Sequence, residues 1–175
     1  GDFDIYLLKY DGSKWQDPIQ ITYNDAADYH PAGTADGTKI AYVGCNGGSD
    51  YHCTGGSFEI YFTEYVSGTW QEPISVGRDA QYLYGNPRRP SLNDDGTRIV
   101  YAGIDPQNSQ ARYVYLVEYL QGNWQPPFDV GGSGFPTISA DGAKIVCRYG
   151  GIFAYYEDRN ASWLGPARFY DGSYP

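Results

Sequence analysis

Two cysteines and a histidine stand close together in "GCNGGSDYHC", as Cys45, His52 and Cys53. These residue types could hold a metal or close a disulfide. Zinc pairs usually place two to four residues between cysteines and carry a second pair elsewhere. This chain has neither arrangement. The spacing favours a disulfide that pins a glycine-rich loop and implies an oxidising compartment. Two thiols, or a metal held with His52, are the competing readings. The third cysteine, Cys147, lies in the strand-like run "KIVCRY" and reads as a small core residue.

Catalytic patterns are scarce. The chain contains no G-x-S-x-G, no H-E-x-x-H and no glycine-rich phosphate loop. Adjacent carboxylates occur at Asp94-Asp95 and Glu157-Asp158, and paired carboxylates are the material of glycoside hydrolysis. The first pair falls in a turn signal, however, and the second in a degenerate hairpin. Asp25, Asp28 and Asp50 lack the spacing of a calcium loop. The expectation is a chain without catalytic residues, metal or cofactor.

Charge narrows the partners. The 175 residues carry a formal net charge of −9. A phosphate backbone needs clustered Lys and Arg, and the one notable basic doublet is Arg88-Arg89. Nucleic acid is therefore not an expected partner. No apolar run approaches the roughly 20 residues of a membrane-crossing helix. No basic segment followed by an apolar run opens the chain, so any secretory leader is expected to be removed or to lie elsewhere. One sequon, "NAS" at Asn160, could take a glycan in a source that glycosylates secreted proteins.

The elements that position these residues are announced by repetition. One motif is an alternating strand, a turn and Trp-x-x-Pro: "DIYLLKYDGSKWQDPIQI", "EIYFTEYVSGTWQEPISV" and "YVYLVEYLQGNWQPPFDV". A weaker fourth copy is "IFAYYEDRNASWLGPARF". The other motif is Pro, a few residues, Asp-Gly and a β-branched strand: "PAGTADGTKIAYVG", "PSLNDDGTRIVYAG" and "PTISADGAKIVCRYG". The two alternate along the chain. Asp-Gly suits a tight turn with glycine at positive φ. Strands apolar at nearly every position are covered on both faces. The proline of Trp-x-x-Pro cannot donate to a ladder, so it belongs on an edge strand. The Trp is expected to lie over the neighbouring hairpin. Repetition at equivalent positions marks Trp-Gln-x-Pro as architecture, whereas a binding site normally breaks symmetry. The shortest unit is roughly 40 residues, the size of a four-stranded propeller blade.

The pattern P-x-x-x-x-D-G-x-x-I-x-Y followed by "EIY" resembles the PD40, or WD40-like, repeat of TolB-type β-propellers. "PAGTADG", "PSLNDDG" and "PTISADG" lack the tryptophan and second proline of that signature. The resemblance runs over essentially the whole chain and implies an all-β propeller of four-stranded blades. A half blade is expected over 1–23 and blades over about 29–78, 88–131 and 135–170, some three and a half in all. Propellers usually close with about four to eight blades. The expectation is therefore a piece of a longer chain, with a homodimer closing one ring as the alternative.

The blade order sends two kinds of long loop to one face, and loops on a rigid scaffold are where binding usually resides. That face collects Tyr29, His30, Tyr51, His52, Tyr82, Tyr84, Arg88 and Arg89. Tyrosine and arginine offer large area with a polar tip. The family includes periplasmic partner-binding proteins, envelope-associated domains and the non-catalytic propellers of prolyl-oligopeptidase-like peptidases. A secreted or periplasmic segment that binds a protein partner through this face is the leading expectation. A carbohydrate-binding propeller and the lid of a larger hydrolase are the alternatives.

Overall fold

A computed structural model describes residues 3–48, 53–77, 88–104, 112–149, 152–158 and 163–168. Every regular element among them is a strand, and every pairing is antiparallel. A first hairpin joins β1 (Tyr6–Leu7) to β2 (Ile19–Gln20). The second sheet runs β3 (Tyr29–Gly33), β4 (Lys39–Asn46), β5 (Ser57–Val66), then an outer strand in two pieces, β6 (Thr69–Trp70) and β7 (Ile74–Gly77). The third sheet repeats this with β8 (Arg88–Leu92), β9 (Arg98–Ile104), β10 (Arg112–Leu120), β11 (Asn123–Trp124) and β12 (Phe128–Asp129). The fourth is β13 (Ser133–Ile138), β14 (Lys144–Tyr149), β15 (Ile152–Asp158) and β16 (Trp163–Arg168). Chain order and spatial order agree inside each sheet. Strands β3, β8 and β13 lie side by side, so each sheet turns its first strand toward the same interior.

The continuous apolar strands have a simple cause: each sheet is packed on both faces. Successive side chains of a strand point to opposite faces. On β4, Ile40 and Tyr42 pack with Ile5 and Ile21 of the first hairpin. Their neighbours Ala41 and Val43 pack the other way, with Ile99, Tyr101 and Val117 of the third sheet. On β9, Val100 turns to the fourth sheet and joins Val114, Leu116, Ile138, Ile145 and Cys147. The core is thus three layers between four sheets. Ile60, Ile99, Val100, Val114, Leu116, Val117 and Ile145 are fully buried within it. Burial of each such side chain contributes about 1.5–3 kcal/mol.

A second repeated device fixes the sheet spacing. Tyr61 stacks on Tyr42 at 5.7 Å and Tyr115 on Tyr101 at 5.6 Å. Each outer ring of the pair covers a glycine. A Cβ on Gly44 would meet the Tyr61 ring at 2.8 Å, and one on Gly103 would meet the Tyr115 ring at 2.6 Å. Only glycine lets the ring lie that close to the backbone.

The turns follow their sequence signals. Gly37, Gly96 and Gly142 of the three Asp-Gly turns have φ of 67°, 67° and 72°. Ser67-Gly68 and Gln121-Gly122 have positive φ at both residues, the requirement of a two-residue hairpin turn. The basic residue after the first two Asp-Gly turns reaches forward. Lys39 Nζ donates to the Asp95 carbonyl at 2.5 Å, and Arg98 donates to the Gly142 carbonyl at 2.8 Å. The second and third sheets are thereby each tied to the turn of the next, whereas Lys144 faces Asp141 of its own turn at 3.9 Å.

Trp-Gln-x-Pro also has a structural role. Trp15, Trp70 and Trp124 face Tyr10, Tyr65 and Tyr119 across their hairpins, with rings 5.4–5.6 Å apart. The following glutamine N–H closes the ladder onto Lys9, Glu64 or Glu118 at 2.8–2.9 Å. Pro73 then falls in the gap between β6 and β7, where no N–H is required.

Candidate functional site

The first strands of the sheets share an irregularity. The register slips between Tyr29 and Ala32 in β3, between Arg88 and Ser91 in β8, and between Ser133 and Thr137 in β13. Each slip contains a proline, Pro31, Pro90 or Pro136. His30 and Arg89 occupy the same position of their sheets, and both have φ of 49°. The fourth sheet takes one more residue, and Gly134 adopts the left-handed turn at φ 80°. Left-handed backbone at a residue with a Cβ costs about 1–2 kcal/mol. Such bulges re-aim a side chain out of the ladder. His30, Arg89 and Phe135, each the residue before the proline, are all exposed.

Aromatic rings surround these positions. Tyr29 contacts Phe3 at 5.6 Å, Phe58 at 5.8 Å and His30 at 6.3 Å, ring to ring. The Arg89 guanidinium lies 4.2 Å from the Phe135 ring centroid. Phe3 and Phe135 stay about half exposed, at 52% and 48%. The rim therefore offers aromatic rings, the Arg89 guanidinium and the His30 imidazole on adjoining strands, a chemistry suited to partner recognition.

The cysteine loop borders the same end of the second sheet. Cys45 and Cys53 form a disulfide with a Cα–Cα distance of 5.5 Å. Beside it opens a cavity of about 350 Å³ whose walls include Asp28, Tyr42, Cys45, Gly48 and Tyr61. Burial pushes the Tyr42 phenol well above its ordinary value, and the nearby Asp28 carboxylate adds to the shift. Tyr42 is thus a neutral hydroxyl at any physiological pH. Cys147 is buried in the layer between the third and fourth sheets. Among the described residues no group of three His, Cys, Asp or Glu could hold a metal ion.

The sequence-expected site residues fall into two sets. Tyr29, His30 and Arg89 come together with the rims just described. Arg88 opens β8, and its side chain is outside the described set. Tyr51, His52, Tyr82 and Tyr84 lie outside the described residues. Three rim residues were not anticipated: Phe3, Phe58 and Phe135. Phe135 was accessible from the alignment of the Pro motifs, because it precedes Pro136 as His30 precedes Pro31. Phe58 lies within the long strand β5, and nothing in its spacing marks it as rim-facing.

No family model matches the chain, and no curated protein matches it. Solved structures do. TolB from Acinetobacter baumannii aligns with a TM-score of 0.51 and 18% identity, over 91% of this chain and 36% of that one. The putative TolB from Agrobacterium tumefaciens gives 0.57 and 19%, over 97% and 59%. A puromycin-hydrolyzing peptidase of Mycobacterium tuberculosis gives 0.61 and 15%, over 95% and 30%. The chain spans less than two thirds of each of these proteins. Identities this low speak for the fold alone. With the all-β sheets they establish it: the chain folds as part of a TolB-like β-propeller.

Proposed function

We propose that this propeller segment is a non-catalytic, extracytoplasmic scaffold that binds a protein partner through its long-loop rim. One observation carries the reading. His30 and Arg89 hold left-handed backbone at matching positions of neighbouring sheets, and both are exposed beside aromatic rings. Strain of this kind persists where the surroundings enforce it, and it clusters at functional sites. The Cys45–Cys53 disulfide supports an oxidising compartment, secreted or periplasmic.

Photo-crosslinking tests the proposal. A photoreactive residue at position 30 or 89 is expected to trap one common protein from the extracytoplasmic extract of the cells that make the chain. The same probe at Ser67, on the opposite short-turn face, is expected to trap none of it. Equal trapping from both faces, or none from the rim, would remove the rim as the binding surface.

A second reading is favoured by the similarity to the mycobacterial peptidase. In it the segment is the non-catalytic propeller of a larger hydrolase. The open reading frame of the parent gene decides this directly, because a hydrolase domain is either encoded there or absent.

A further inference from the structure

Trp70 and Trp124 are the same residue of two repeats, yet their surroundings differ. The Phe62 ring packs edge-on against Trp124 at 5.0 Å. The first hairpin places the smaller Leu7 at the position Phe62 holds in the second sheet. Trp70 lies against this hairpin and lines a cavity of about 430 Å³. The two Trp junctions are therefore not equivalent.

The cavity has a consistent chemistry. Its walls include Trp70, Tyr23, Gln71, Glu72 and Asn24. Tyr23 is 76% exposed, and its hydroxyl is anchored by donation to the Gln20 carbonyl at 2.9 Å. The cavity shares Asn24 and Pro73 with the 350 Å³ cavity beside the disulfide, which adds Asp25, Tyr42 and Tyr61. The two adjoin at these residues, at the groove between the first hairpin and the second sheet. Both volumes fall within the roughly 300–1,000 Å³ of ordinary ligand sites.

Among the described residues no Lys, Arg or His lines either cavity, whereas Asp25, Asp28 and Glu72 do. Along these described walls an anionic ligand would meet only like charge. The polar wall mixes acceptors, the carboxylates, with donors, the amides and the Trp70 indole N–H. A cation needs acceptors alone. A hydroxyl both donates and accepts, and the apolar face of a pyranose ring fits a flat aromatic side chain.

We propose that this groove between the first hairpin and the second sheet binds a neutral oligosaccharide. Sugar rings lie on Trp70 and Tyr23, and their hydroxyls are shared among Glu72, Gln71 and Asp25. The site is separate from the rim of His30 and Arg89, and stands whether or not the rim takes a protein.

Calorimetry on the 175-residue chain tests it, with cello-, manno-, malto- and chito-hexaose as probes. Oligogalacturonate hexamer and a hexa-lysine peptide serve as charged controls. At least one neutral hexaose is expected to bind, and both controls to fail. Tyr23→Ala and Glu72→Gln, both at exposed positions, should each weaken that binding at least tenfold with an unchanged melting temperature. Trp70→Phe should weaken it less than tenfold. His30→Ala and Arg89→Ala should leave it intact, which separates this site from the rim. The proposal is overturned if no neutral hexaose binds at millimolar concentration. It is also overturned if only a charged control binds, or if Tyr23→Ala and Glu72→Gln bind as tightly as the parent.

Discussion

His30 and Arg89 show what a single residue contributes to this molecule. Neither residue type favours φ of 49°, and glycine would adopt it without strain. His30→Gly is therefore expected to be more stable than His30→Ala by about 1 kcal/mol, read by chemical denaturation. Equal stabilities would show that the bulge is not strained. Asp36, Asp95 and Asp141 make the complementary case, because their chemistry serves the fold. Asp36 accepts hydrogen bonds from the Thr34 and Thr38 hydroxyls and the Thr38 N–H, which hold its carboxyl down to about 2. Asp95 and Asp141 are lowered by the same kind of turn. A depressed carboxylate stabilises the fold above its unfolded value, near 4, and loses that contribution as pH falls through the folded value. Stability should thus decline between about pH 4 and pH 2. Asp36→Asn should make that decline shallower in urea titrations at a series of pH values; an unaltered slope would contradict the assignment.

At the scale of elements, adjacent sheets are joined by polar ties as well as by the core layers between them. Arg98 donates to the Gly142 carbonyl and pairs with Glu118 at 2.9 Å, with both side chains mostly buried. Arg98→Met keeps the stem and removes both contacts, at an expected cost of about 1–2 kcal/mol measured by denaturation. The disulfide closes a short loop, with a sequence separation of 8. Replacing both Cys45 and Cys53 by Ser should cost about 2–3 kcal/mol on the chain-entropy view. The two motifs made most of these elements legible in advance. Asp-Gly located the turns, alternation located the strands, and Trp-x-x-Pro located the edge. The forward reach of Lys39 and Arg98 was not legible. A basic residue after a turn says nothing about which neighbour it meets, since that depends on how adjacent sheets are offset. The break between β6 and β7 likewise follows from the glutamine N–H returning to the previous strand, a register detail that composition does not encode.

The whole molecule follows from one repeated four-stranded sheet whose first strand faces a shared interior. The sequence carried that much, because a repeat that is apolar on both faces must stack on copies of itself. It carried the candidate site only in part. Tyr29, His30 and Arg89 could be assigned to one face from loop length, whereas the aromatic partners Phe3 and Phe58 come from segments distant in the chain and meet the rim only through packing. The cavity at Trp70 is lined by residues 21–24 and 70–73, two segments that meet only once the first hairpin is stacked on the second sheet. The sheets fan outward from an axis and bring His30, Arg89 and Phe135 to one rim. Pairwise spin-label distances across the three sheets test it most directly. Labels at Ala32, Ser91 and Thr137 report the inner strands, and labels at Thr69 and Asn123 report the outer edges. The inner neighbours should be closer to one another than the outer pair. Inner and outer separations of equal length would describe parallel layers and contradict the account.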